Sequence, residues 1–189
     1  MKWRYFCGVL SLVILLFTYG CTVPNDALDN ALKLEDLKSE KGTYEYARYP
    51  IGTSKEDVEG SGAFDQKVPV EKLDSIETYT LKDPCEINGE EAVVKLEFNS
   101  NSLELVHFYF HSNMSNQFYD SLSNQLKEKY GEPSLSTEND TDLIKSSVQA
   151  WNSDNSGFSS TIRLRYIQSS EDPLVVLSVG MFEPADENP

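Results

Sequence analysis

His107, Tyr109 and His111 occupy alternate positions in the run Leu103 to His111, and Arg163 and Arg165 repeat that spacing in a second run, Ser159 to Gln168. Alternate residues of a β-strand point to one face of a sheet. If the apolar residues of both runs turn inward, these five side chains share the face opposite the core. Tyr and Arg are types that anchor protein interfaces, so that face is the expected site for a protein or peptide. The plainer alternative is a solvated surface. The two histidines also raise a metal site, but residues four apart on a strand lie about 13 Å from one another, too far to share one ion. No metal is expected there.

Asn152-Ser153-Asp154-Asn155-Ser156-Gly157 places oxygen-bearing side chains at alternate positions with glycine sixth, as a calcium loop would. The twelfth position is Arg163, where such a loop needs a bidentate Glu, and a polar hairpin turn accounts for the stretch better. Cys85, beside Pro84, reads as a small buried hydrophobe rather than a nucleophile. The chain carries no G-x-S-x-G elbow, phosphate-binding glycine loop, H-E-x-x-H or dinucleotide fingerprint. A hydrolase is therefore the least favoured reading, and no cofactor is expected. With 31 Asp and Glu in the chain, a neighbouring pair of carboxylates carries no signal.

The formal net charge is -15, a surface that repels nucleic acid and anionic lipid head groups, so neither is an expected partner. The N-terminus offers another route to a membrane. Lys2 and Arg4 precede an almost wholly apolar run from Val9 to Phe17, and Gly20 stands directly before Cys21. That order is the grammar of a secretory signal, and its Gly-Cys ending resembles the lipobox of bacterial lipoproteins, with Thr18 and Tyr19 departing from the commonest pattern. The resemblance implies a signal peptide over 1-20 and a diacylglycerol on Cys21. It also implies an extracytoplasmic protein, lipid-anchored at the cell membrane or the outer membrane. The apolar run is short for a transmembrane helix, which needs about 20 apolar residues. Cys7 would leave with the signal and Cys21 would carry lipid, leaving Cys85 as a thiol and no intrachain disulfide.

Residues 21-49 read as a lipid-anchored tether with at most a weak helix, because charged residues interrupt the stripe of Leu28, Ala31, Leu32, Leu34 and Leu37. The domain is expected over 50-183, followed by a disordered acidic tail at 184-189. Thr53 and Glu56 have the spacing of a capping box and open a short helix that Gly60-Ser61-Gly62 stops. Three strands follow: Ile76 to Ile87, an edge strand on account of Pro84, then Glu91 to Phe98 after the hairpin signal Asn88-Gly89, then Leu103 to His111. Phe118, Leu122, Leu126 and Tyr130 form one helical stripe, ended by Gly131 and Pro133. After a polar loop over 134-142, three more strands are predicted: Ser146 to Asn152, Ser159 to Gln168 and Leu174 to Phe182. The last is apolar on both faces and so central or covered.

In sum these elements spell helix, three strands, helix, three strands. The expected fold class is α+β: tandem α-βββ units, about 50-112 and 113-183, forming an antiparallel sheet with helices packed on one face. The Gly52 to Val58 start and the Lys129-Tyr130-Gly131-Glu132-Pro133 ending resemble short helical elements of two families. One is the small lipoprotein of the outer-membrane assembly machinery (BamE/SmpA), the other the β-lactamase inhibitory proteins. The resemblance implies non-catalytic binding to other proteins and assigns no binding residue by motif. Two alternatives stand beside it: a binder of a small envelope ligand in a helix-sheet pocket, and an unrecognised hydrolase.

Overall fold

The computed structural model describes residues 31-111, 115-141, 145-153, 159-168 and 173-182. The expected signal peptide, Cys21, the first part of the tether and the acidic tail lie outside them, as do the last four residues, 154-157, of the calcium-like stretch. Nine strands are described: β1 (Glu71–Leu73), β2 (Ile76–Thr80), β3 (Cys85–Ile87), β4 (Glu90–Asn99), β5 (Ser102–His111), β6 (Leu135–Asp140), β7 (Lys145–Asn152), β8 (Thr161–Gln168) and β9 (Leu174–Gly180). The helices are α1 (Lys55–Gly60) and α2 (Ser115–Tyr130), with a 3-10 turn at Leu34–Leu37.

Alternation shapes the centre of the sheet. β4 buries Ala92, Val94, Leu96 and Phe98 and turns Glu91 and Val93 outward, while β5 buries Val106, Phe108 and Phe110 on the same side. Asn88 and Gly89 both have positive φ and form the two-residue turn between β3 and β4; Ser100 and Asn101 do the same between β4 and β5. The nine described strands pair antiparallel, in the order β1-β2-β4-β5-β9-β8-β7-β6, with β3 joined to the end of β4 that β2 leaves free and bridged in parallel by Ala31 at Glu86. β5 and β9, the last strands of the two halves, pair at the middle. That central place explains why β9 is buried on both faces.

One face of the sheet carries the core. α2 lies across β8 and β9 and buries Phe118, Leu122 and Leu126, with the Phe118 ring 4.8 Å from that of Phe110. The Gly131 N–H bonds the Lys127 carbonyl at a φ of 84°, closing the helix, and the Trp151 Nε1–H reaches the Gly131 carbonyl at 2.8 Å. Trp151 is thereby a core residue that ties β7 to the end of α2. Cys85 is buried too, and burial pushes its thiol up to about 12, which keeps it protonated and unreactive at neutral pH.

Several expectations are corrected. The fold is a β-rich antiparallel sheet rather than an α+β tandem of α-βββ units: about half of the described residues are extended and about a fifth helical. α1 has six residues and buries only Val58, too little to form a helical layer, and its cap is Ser54, whose Oγ accepts from the Asp57 N–H, rather than Thr53. The loop expected over 134-142 contains β6, and Ile76 to Ile87 is two strands, β2 and β3, that share an edge of β4. The domain also begins earlier than residue 50. Leu32, Leu37, Tyr44 and Tyr46 are core residues, Tyr46 meets Phe108 edge-on at 5.3 Å, and the Tyr44 N–H donates to Ser160 Oγ at 2.7 Å.

α1 is held to the sheet by charge. Lys55 Nζ lies 2.7 Å from Glu77 Oε2, and Lys72 bonds the other carboxylate oxygen. Hydrogen bonds from Lys55 and then Lys72 hold the Glu77 carboxyl down at about 2. A depressed carboxylate contributes stability above its unfolded value and loses it as pH falls through the folded one. Glu77→Gln should therefore lower stability at pH 7 by about 1–2 kcal/mol after allowance for solvent screening. The gap from the parent should close between about pH 4.5 and pH 2, as read by denaturant unfolding at stepped pH.

Candidate binding face

The face opposite α2 is covered by no described helix. Pairing registers place its side chains in rows. One row runs Lys95, His107, Ser178, Arg163, Ala150; the next runs Val93, Tyr109, Val176, Arg165, Val148. His111 stands one row further along β5, opposite Leu174. The structure thus brings His107, Tyr109, His111, Arg163 and Arg165 to one face. Two strand spacings, about 10 Å, separate the histidine-tyrosine column from the arginine column.

The two columns differ in their ties. His107 Nδ1 is 2.8 Å from Ser178 Oγ and its Nε2 is 3.6 Å from Glu97 Oε2, so the ring is held from both sides. Lys95 Nζ sits 4.9 Å from the Tyr109 ring centre and 3.2 Å from Glu71 Oε1, a cation–π contact and an ion pair that fix the tyrosine's edge of the face. Arg163 is half-buried, with its guanidinium 3.8 Å from the ring centre of Phe182. Burial and the neighbouring Arg165 both push its pKa down. Arg165 is exposed. Among the described residues no carboxylate pairs with either arginine.

Sequence reasoning missed three participants. Lys95 was visible only as a polar residue of β4, Ser178 as the lone polar residue in the run of β9, and Phe182 as the end of that run. The alternation of β4 does contain the signal for Val93, which is 42% exposed on this face. Val176 and Ser178 of β9 are buried between the two columns.

Among the described residues nothing comparable gathers on the other side. Hollows of about 620, 420 and 310 Å³ lie along α2 and are open clefts with mixed or polar linings, not a deep apolar pocket. The largest is bounded by Ala31, the first described residue, and by the β3–β4 turn. Among the described residues no three His, Cys, Asp or Glu side chains converge as metal ligands, and no helix is long and apolar enough to cross a membrane. No protein-family model, curated protein or solved structure matches this chain.

Proposed function

We propose that this chain is a non-catalytic, lipid-anchored binding protein of the bacterial cell envelope, which takes a protein or peptide on its helix-free sheet face. The observation that carries the binding reading is the gathering of Tyr109, His107, Arg163 and Arg165 on that face, the arginines having no carboxylate partner among the described residues. Aromatic and Arg side chains supply much of the binding energy at interfaces. The extracytoplasmic address rests on the order of Lys2, Arg4, the apolar run, Gly20 and Cys21. The net charge of -15 disfavours nucleic acid as the occupant.

Tyr109→Ala together with Arg165→Ala tests this reading. A partner that co-purifies with the membrane-extracted chain should be lost at least tenfold, while the thermal midpoint stays within about 2 °C, because surface substitutions away from the core usually change stability by under about 0.5 kcal/mol. Undiminished co-purification, or loss of folding in the double variant, would count against it. Mass spectrometry of the same extract checks the address: the expected first residue is Cys21 bearing a diacylglycerol, and a chain that starts at Met1 would overturn that part.

A further inference from the structure

The geometry points to one kind of occupant: we propose that the face binds an extended segment with acidic side chains at alternate positions, laid along β9. This rests on the reading of the helix-free face given above and names its ligand. Arg163 and Arg165 are two residues apart on one strand, so their side chains emerge about 6.6 Å apart, and alternate side chains of an extended peptide have the same spacing. Two carboxylates in that register can each meet one guanidinium, which accepts carboxylates in bidentate fashion.

Glu97 and Glu71 serve the histidine-tyrosine column, beside His107 and Lys95, whereas the arginine column has no such carboxylate among the described residues. Arg163 and Arg165 repel each other without a carboxylate partner among the described residues, and an acidic ligand relieves that repulsion. Arg163 is also held in place before any ligand arrives, by its stack on Phe182 at 3.8 Å, which lowers the ordering cost of binding. Across β9, beyond the buried Val176 and Ser178, Tyr109 offers an aromatic wall. The net charge of -15 repels a long polyanion, whereas a short acidic segment need engage only the arginine column.

Two synthetic pentapeptides of alanine and two glutamates test the register, one with the glutamates at alternate positions and one with them adjacent, titrated into the full mature chain by NMR. The alternate peptide should bind, shift the amides of β8 and β9, and bind at least fivefold more tightly than its isomer. Arg165→Gln, at an exposed position, should weaken it at least fivefold. Equal binding of the two isomers, no binding of either at millimolar concentration, or tighter binding of oligothymidylate would overturn the inference. If a protein is captured through Tyr109 and Arg165 while neither peptide binds, the inference fails and the binding-face reading stands.

Discussion

Gly180→Ala is expected to destabilise the protein by more than about 4 kcal/mol, a loss in the range reserved for backbone conflicts. The position has a φ of 137°, a conformation that costs any L side chain strain. A Cβ there would stand 2.0 Å from the Glu104 carbonyl oxygen, which is backbone and cannot rotate away. The crowding has a cause in the sheet. Opposite Glu97 and Phe98 the register of β5 slips by one residue, so Glu104 is extra, and its carbonyl accepts the Met181 N–H at 2.9 Å. Gly180 sits against that bulge while pairing with Leu105 on one side and Thr161 on the other, so it stitches the two halves together. For a domain of this size the thermal midpoint should fall by about 10 °C or more. A fall of under about 2 °C would mean that β9 passes the bulge differently.

A chain that begins at residue 50 should not fold cooperatively, whereas one that begins at residue 31 should. The shorter chain lacks Leu32, Leu37, Tyr44 and Tyr46, all buried in the common core. Truncating a single buried Leu to Ala typically costs about 2–5 kcal/mol, so losing four large buried side chains costs about 8–20 kcal/mol, comparable to the roughly 5–15 kcal/mol that holds a typical domain together. It also strips the Leu32 N–H bond to the Glu86 carbonyl and leaves Ser160 without the Tyr44 N–H. Calorimetry of the two chains gives the answer. A sharp transition in the shorter one, at the midpoint of the longer, would show that residues 31-49 are an appendage.

Gly180 and residues 31-49, set against the candidate face, show what a sequence makes visible. β4, β5 and β8 each bury one face, so a period of two marks them, and that period alone sorts His107, Tyr109, Arg163 and Arg165 onto the other side. α2 announces itself through Phe118, Leu122 and Leu126, and Gly131 marks its end. β1 and β6 leave no such trace because they are sheet edges with every residue exposed; with neither face buried, nothing alternates. Residues 31-49 are hidden for the opposite reason. They reach the core through a 3-10 turn and isolated bridges, Lys38 to Tyr44 and Tyr46 to Tyr49, whose buried residues follow no period. Gly180 does carry a signal, a glycine inside an apolar strand run, which marks a bulge or a close backbone approach.

The face itself was readable as a set of residue types and not as a balance of charge. Whether Arg163 and Arg165 have partners depends on which strands flank β8, and those are β7 and β9, which bring Ala150, Val148, Ser178 and Val176 alongside them and no carboxylate. By the same token Lys95 is neutralised by Glu71 from β1, a strand that periodicity could not locate. That the arginines have no carboxylate partner among the described residues is thus a product of topology.

Photocrosslinking in living cells puts the working surface to the most direct trial. A photoreactive amino acid at position 165, on the sheet face, should yield discrete protein adducts that a charge-reversed Arg163→Glu background suppresses, and the same group at position 117, on the exposed side of α2, should yield none. Adducts from position 117 alone, or equal adducts from both, would contradict the assignment of binding to the helix-free face.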